Sequence, residues 1–205
     1  MLCVTTQAPL QDGPCAGSSL MPGHEEQAKE VLDFWFVRSR PRQWFSKDAA
    51  FDALLTQRFL GLTRQAIAAE LEAWNAEASQ ALALVLLLDQ FPRQIWRDTA
   101  MAFAGDQQAL ALSLKAVEQG WLEAEPEQAR RQFWLMPLMH SEDLAVQDAA
   151  LPLFERFSES RTADFARRHR AVIARFGRFP HRNAALGRVS SAEELAFLQT
   201  PGSGF

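Results

Sequence analysis

The chain has 205 residues and a mass of 23.0 kDa, the size of one domain or of two small ones. It contains 33 alanines and 26 leucines but only 8 valines, 7 threonines and 3 isoleucines, which argues against a β-sandwich, a barrel or a doubly wound sheet. The 48% hydrophobic share argues against global disorder, and the net charge of −4 argues against a nucleic-acid-binding protein. We therefore expect a soluble, all-α protein.

The first half of the chain shows strong helical periodicity. Helices are predicted over residues 25–37 and 48–74, and Gly61 is expected to divide the second of these in two. The segment 79–90 is apolar on every side, so we expect a central helix there. Pro92 should end or kink this helix.

The second half continues the pattern with short breaks. Asp106 is expected to cap a helix, and Gly120 and Gly177 are expected to stop two helices. Together the sequence predicts about eight antiparallel helices and no strand, in a single all-helical domain over residues 24–200. The remaining predicted helices are residues 106–119, 126–140, 141–157, 162–176 and a short last one from about 191.

The N-terminal segment differs from the rest. Residues 1–23 contain a single charged residue and scattered Pro, Gly and Ser, so we expect a disordered or spurious extension. Cys3 and Cys15 both lie in it, which indicates neither a disulfide framework nor a metal site and favours a cytoplasmic location. The longest apolar run, residues 81–88, is far shorter than the roughly 20 residues that span a membrane.

Positive charge is concentrated near the C-terminus. Residues 161–188 contain eight arginines and one aspartate, a local charge of +7, so the rest of the chain carries −11. The whole chain has only three lysines against 18 arginines. Because Arg suits ion pairing, stacking and anion binding better than Lys does, this segment indicates a place where anionic groups gather.

One candidate site follows the central helix, in the string Asp89-Gln90-Phe-Pro-Arg93. Asp89 ends the most apolar helix of the chain, where a carboxylate needs a cation or several donors. Arg93 and Arg97 are the nearest cations. Asp89 is therefore either half of a structural ion pair or a carboxylate that faces a ligand.

A second candidate site follows the helix stop at Gly177. Guanidinium groups and a histidine alternate there with aromatic residues and proline on a loop, which suits a phosphate or carboxylate ligand. The alternative is a structural network in which these arginines pair with Asp89, Glu142 or Asp143. The polar candidates of this loop are Arg175, Arg178, His181, Arg182 and Asn183.

Two further histidines lie in unusual neighbourhoods. His169 lies on the apolar face of its predicted helix, where it is either a hydrogen-bonded core residue or a general acid or base beside a cleft. His140 ends one predicted helix just before Glu142 opens the next, so the pair either transfers protons or caps the two helix ends. Four scattered histidines give no metal-ligand spacing, and no cofactor-binding motif is present, so neither a metal nor a cofactor is expected.

With these segments in place, the sequence resembles an uncharacterised, mainly bacterial family catalogued as domain of unknown function 924. The resemblance covers roughly residues 26–198 and implies a compact, all-helical, tetratricopeptide-like fold with no assigned activity. The residues that carry the resemblance are Phe34-Trp35-Phe36, Trp44-Phe45, Asp89 to Arg93, Arg97, Phe103, Asp106, Met136 to Asp143, Gln147 and Arg175 to Asn183.

Three hypotheses for the function follow. The first is a binding module whose cleft, lined by arginines and a histidine, takes an anionic small molecule or an acidic peptide. The second is an enzyme that uses His140 or His169 with Glu142 or Asp89 as the orienting carboxylate. The third is a purely structural interaction protein. Neither a membrane nor a nucleic acid is an expected partner. The residues predicted to line the cleft are Arg93, Arg97, Arg175, Arg178, His181 and Arg182.

Overall fold

The computed structural model describes residues 23–204, so residues 1–22 of the predicted extension, with both cysteines, lie outside the described residues. Residues 23–204 contain helices and turns and no strand, which confirms the prediction of an all-α fold. Within this range no helix is long and apolar enough to cross a membrane. The tetratricopeptide-like arrangement stays a prediction.

Helices α1 to α11 follow one another along the chain, joined by short 3₁₀ and π turns. They are α1 His24–Leu32, α2 Pro41–Trp44, α3 Ala49–Ile67, α4 Ala78–Val85, α5 Phe91–Ile95, α6 Asp106–Glu118, α7 Trp121–Ala124, α8 Gln128–His140, α9 Leu144–Phe157, α10 Ser160–Phe176 and α11 Ala192–Leu198.

The helices outnumber the eight that were expected because α2, α5 and α7 are pieces of four or five residues. Each begins next to a Pro or Gly that interrupts a longer helical pattern.

The expected division at Gly61 is wrong, because α3 is continuous through that residue. A glycine inside a helix costs only about 1 kcal/mol relative to Ala, and the buried face of α3, with Phe51, Leu55 and Phe59, offsets that cost.

The core is centred on α4 and the turn after it. Every residue from Gln80 to Pro92 is buried, and α4 packs against α1, α6 and α8, which confirms the predicted central helix. Large aromatic side chains surround it. Trp35, for example, is fully buried, and its ring contacts Phe91 and Phe133 at centroid distances of 5.4 and 5.5 Å. This packing makes the turn that carries Asp89 part of the rigid interior.

That turn is a π turn, Leu86–Gln90, closed by a hydrogen bond from the Phe91 amide to the Leu86 carbonyl. Pro92 has no amide hydrogen to donate to the Leu88 carbonyl four residues earlier, so the regular helical ladder is interrupted there. The Leu88 carbonyl instead faces Gly105, where an added Cβ would lie 2.3 Å from its oxygen. The start of α6 can therefore approach the π turn only because residue 105 is glycine.

The hairpin between α8 and α9 brings a second polar segment to the same region. Buried Gln147 donates through Nε2 to the carbonyls of Met139 and Ser141, at 2.6 and 2.8 Å, and so satisfies the end of α8. The residue that caps α9 is Asp143, whose carboxylate accepts from the amide of Ala145. These bonds fix His140, the last residue of α8.

Candidate functional site

Five charged or ionisable side chains from different parts of the sequence meet beside the π turn: Asp89, Arg93, Asp106, His140 and Arg182. We call this group the Arg–His cluster. Arg93 bridges both aspartates, with Nη1 3.2 Å from Asp89 Oδ1 and 2.8 Å from Asp106 Oδ1. Arg182 donates through Nη1 to Asp106 Oδ2 and through Nη2 to the His140 carbonyl, both at 3.0 Å. The two strings singled out in the sequence, around Asp89 and around Arg182, therefore converge.

Asp89 is the fully buried centre of the cluster. Its Oδ1 lies 2.7 Å from His140 Nδ1, and its Oδ2 accepts from Gln90 Nε2 at 2.5 Å. Burial alone would raise the pKa of Asp89, but the charge of Arg93 and the contact with His140 outweigh burial and lower it. Asp89 is therefore an ionised carboxylate in the interior of the protein.

His140 is held by this carboxylate. Because ionised Asp89 only accepts hydrogen bonds, the proton of the neutral ring lies on Nδ1 and leaves Nε2 as the acceptor. Burial lowers the pKa of His140, and the charge of Arg93 lowers it further, against the opposing effect of Asp89. The side chain keeps 12% of its surface exposed, so the ring is partly accessible from outside.

Arg182 is the most deeply buried cation of the cluster, with 6% of its surface exposed. Its guanidinium contacts the rings of Phe103 and Phe179, at 4.8 and 4.6 Å from their centroids. Burial, together with the charge of Arg93, lowers the pKa of Arg182 to about 10. Its Nε atom is buried and has no hydrogen-bond partner among residues 23–204.

Two more histidines lie around Phe179, next to the cluster. The ring of His169 lies 6.3 Å from that of His140 and 5.5 Å from that of Phe179, while His181 lies 5.6 Å from Phe179. Burial lowers the pKa of His169 to about 3. Burial and the charge of Arg182 lower the pKa of His181 to about 4. Both rings are therefore neutral near pH 7, and His169 Nδ1 lies 2.8 Å from the Phe165 carbonyl.

Glu142 anchors the loop that carries Arg182. It accepts two hydrogen bonds from Arg188, at 2.8 and 2.9 Å, and a third from the Phe179 amide at 2.8 Å. Burial raises the pKa of Glu142, but these hydrogen bonds outweigh burial and lower it. Glu142 therefore binds Arg188, and the carboxylate that contacts His140 is Asp89.

Other residues singled out in the sequence lie outside the cluster and have their own partners. Arg97 pairs with Asp52 of α3 through Nε at 2.6 Å. Two arginines of the loop region pair with α11, and an asparagine of the loop binds a serine. These pairs are Arg175 with Glu193, Arg178 with Glu194 and Asn183 with Ser190.

Sequence reasoning did not assign Asp106 and Arg188 to the site. Asp106 was expected to cap α6, but the N-cap position is Gly105, and Asp106 turns its carboxylate towards Arg93 and Arg182 instead. The sequence did offer one indication, because Asp106 is among the residues that carry the family resemblance, three positions after Phe103.

Among the described residues there is no group of three or more His, Cys, Asp or Glu side chains that could hold a metal ion.

Comparisons with known proteins give one family model and one solved structure. The model of a family described as bacterial protein of unknown function, DUF924, matches residues 31–202. A solved structure of a protein of unknown function from Agrobacterium tumefaciens is 39% identical, with a TM-score of 0.80, and the match covers 85% of this chain and 98% of that one. No curated protein matches.

Proposed function

Because the chain belongs to the DUF924 family, whose description assigns no activity, we propose a function from the geometry of the Arg–His cluster. The cluster binds a small molecule that carries a carboxylate or phosphate group, or the carboxylate end of an acidic peptide. Arg182 and Arg93 supply the hydrogen-bond donors, and His140 supplies the charge. A cytoplasmic location, expected from the positions of the cysteines, is part of the same proposal.

The observation that carries the proposal is the state of Arg182. A guanidinium presents five N–H donors, and leaving one of them buried and unpaired is costly. Arg182 Nε is such a donor in the described part of the chain, although Nη1 and Nη2 are both bonded. The rings of Phe103 and Phe179 pack against the guanidinium, and a guanidinium fixed in this way suits the planar, two-point recognition of an oxyanion.

The charges within the cluster determine how an anion would bind. The two guanidiniums of Arg93 and Arg182 face the two carboxylates of Asp89 and Asp106, so these four groups are balanced. An added anion therefore requires an added positive charge. Protonation of His140 supplies it, because the imidazolium would face Asp89 Oδ1 at 2.7 Å and an anion on its other side. Anion binding is thus coupled to the uptake of a proton.

The test is isothermal titration calorimetry with inorganic sulfate and with acetate as probes, because neither anion changes its own charge appreciably over the pH range used. We expect the affinity for both to rise about tenfold or more as the pH falls from about 8 to about 6, because His140 must take up a proton. Arg182→Gln should abolish binding, and His140→Gln should remove the dependence on pH. Arg178→Gln is the matched control, because it removes the same charge from a pair with Glu194 outside the cluster.

Two results would contradict the proposal. One is binding that is equally strong in Arg182→Gln and in the unmodified protein. The other is the absence of any heat with either probe together with a large drop in the melting temperature of Arg182→Gln, which would identify the cluster as a structural ion-pair network.

The 2.7 Å contact between Asp89 and His140 favours a second candidate, an enzyme that uses acid–base chemistry on the bound anion. An aspartate that accepts from Nδ1 fixes the tautomer in which Nε2 accepts a proton, the arrangement that a general base requires. Hydrolysis of two anionic esters, p-nitrophenyl phosphate and bis(p-nitrophenyl) phosphate, tests it. A rate that falls at least a hundredfold in both His140→Gln and Asp89→Asn supports the enzyme, and a rate unchanged in His140→Gln excludes it for these substrates.

A further inference from the structure

A second feature lies next to the π turn, and none of the residues of the Arg–His cluster lines it. A cavity of about 250 Å³ opens between the end of α3, the 3₁₀ turn at Glu72–Ala76, α4 and α6. Helix α6 separates the two places, since it turns Asp106 towards the cluster and Gln108 towards the cavity. The inference drawn from this cavity does not depend on the proposed function.

Aliphatic and polar residues both line the cavity, and we call the polar ones, Glu72, Asn75, Gln108 and Lys115, its polar wall. Among the aliphatic residues, Leu84, Leu88 and Leu112 are almost fully buried. At about 30 Å³ for each water-sized volume, 250 Å³ suits a molecule of roughly eight to ten non-hydrogen atoms. A small aliphatic group would therefore fill the deep part of the cavity and leave room for a polar head.

Two buried acceptor atoms lie in the polar wall. Gln108 donates through Nε2 to the Ile67 carbonyl, which fixes its amide so that Oε1 is the remaining atom. Gln108 Oε1 and Asn75 Oδ1 are both buried and lack a hydrogen-bond partner in the part of the chain that the structure describes. Two unsatisfied acceptors in one wall match a ligand group with several N–H donors.

Charged side chains of opposite sign complete the wall. The Glu72 carboxylate lies in an exposed turn, and Lys115 lies on α6. Lys115 Nζ donates one hydrogen bond, to the Asn75 carbonyl at 2.7 Å, and an ammonium has three donors. A ligand with both an ammonium and a carboxylate would therefore find a partner for each charge.

The backbone of the cavity wall is strained at Ala69, whose φ is +59°. The hydrogen bonds of the Ala69 and Glu70 amides, to the carbonyls of Ala66 and Gln65, form the helix ending that normally has glycine at this position. A Cβ in the left-handed region costs about 1 kcal/mol. Ala69 is one of the residues that line the cavity.

From these features we infer that the cavity binds a free aliphatic α-amino acid. The aliphatic side chain lies against Leu84, Leu88 and Leu112. The ammonium lies on the side of Glu72, where the side chains of Gln108 and Asn75 turn to present Oε1 and Oδ1 to it, and the carboxylate accepts from Lys115.

Titration by two-dimensional NMR tests this inference, because the resonances that shift report where each probe binds. The probes are L-leucine, 3-methylbutylamine, which lacks the carboxylate, and 4-methylpentanoate, which lacks the ammonium. We expect leucine to shift the amides of Ala66, Ala69 and Leu112 and to bind at least about tenfold more tightly than either partial analogue, because each lost charged hydrogen bond weakens binding by about that factor.

Two variants locate the binding. Gln108→Leu removes one acceptor and should weaken leucine binding about tenfold, whereas Gln107→Leu, its exposed neighbour on α6, should leave the affinity unchanged. The inference is overturned if leucine causes no shifts at these amides, or if 4-methylpentanoate binds there as tightly as leucine. It is also overturned if Gln108→Leu, folded as judged by its spectrum, binds leucine as tightly as the unmodified protein. Shifts confined to the amides of Arg182 and His140 would assign the binding to the other site.

Discussion

At the scale of single residues, the stability of the site depends on how each buried charge is compensated. Asp89 has no exposed surface and is surrounded by Arg93, Gln90 and His140. A buried ion loses its hydration, so its hydrogen bonds and the facing cation must replace that hydration in full. Removing one partner of such a group is costly because the other partner stays buried and unpaired.

Asp89→Asn should therefore lower the free energy of unfolding by about 3 kcal/mol or more, because Arg93 stays charged and buried but loses one of its carboxylate partners. Asp148→Asn provides the control, since Asp148 pairs with Arg170 on the surface, with about half of its side chain exposed. That change should cost much less, because an ion pair on the surface contributes little to stability. Urea denaturation of both variants checks the difference, and equal losses would contradict this account of Asp89.

The histidines next to the cluster make stability depend on pH. The pKa values of His169 and His181 are lowered to about 3 and about 4, whereas an unfolded chain has the usual value near 6.5. The unfolded state therefore binds more protons below pH 6.5, and stability falls as the pH drops from about 6.5 towards 4. The ionised carboxylates add to the loss below about pH 5.

We expect the free energy of unfolding to fall by more than about 1 kcal/mol between pH 7 and pH 5, because one pKa unit corresponds to 1.36 kcal/mol. His169→Gln should reduce that slope, since it removes one of the groups that titrate. Urea denaturation at several pH values measures both slopes. The same slope in His169→Gln and in the unmodified protein would show that His169 is not responsible.

At the scale of elements, the site depends on a helix that is interrupted at Pro92. Because proline cannot complete the hydrogen bond to Leu88, the π turn directs Asp89 and Arg93 to one side, and the Leu88 carbonyl faces Gly105. The sequence predicted an end or a kink at Pro92 but not the π turn. The contact with Gly105 joins segments far apart in the sequence, and periodicity carries no information about such contacts.

Gly105→Ala should therefore destabilise the protein by about 1 to 3 kcal/mol, because its methyl group would have to move backbone atoms of Leu88. Gly61→Ala, in the continuous helix α3, is the matched control. A Cβ there meets no atom within 4 Å in the described residues, so we expect a gain of up to about 1 kcal/mol. Thermal unfolding of the two variants compares them, and a loss at Gly61 as large as at Gly105 would contradict the close approach.

At the scale of the whole molecule, folding pairs the positive charge of the basic segment with carboxylates from the acidic remainder of the chain. The basic segment 161–188 has carboxylate partners on α6, α9, α11 and the turn between α8 and α9. These pairs are Arg182 with Asp106, Arg188 with Glu142, Arg170 with Asp148, Arg167 with Glu155, Arg175 with Glu193 and Arg178 with Glu194. Composition and local charge predicted an all-α protein in which an arginine segment meets acidic groups. They could not predict which partner each arginine finds, since pairing depends on how the helices pack.

The partner of His140 likewise could not be predicted from the sequence. The sequence indicated that His140 lies beside a carboxylate, and both Glu142 and Asp89 were candidates. Glu142 is closer in sequence, yet its carboxylate binds Arg188. The carboxylate that contacts the His140 ring belongs to Asp89, 51 residues away. Only the packing of α8 against the π turn decides between them.

The central claim, that the Arg–His cluster binds an oxyanion, is tested most directly by a crystal structure grown near pH 6 in the presence of sodium tungstate. The anomalous signal of tungsten locates the anion independently of any assumption about the natural ligand. We expect a peak within hydrogen-bond distance of Arg182 and His140, and its loss in crystals of Arg182→Gln. Peaks found only at exposed arginines such as Arg175, with none at Arg182, would contradict the claim.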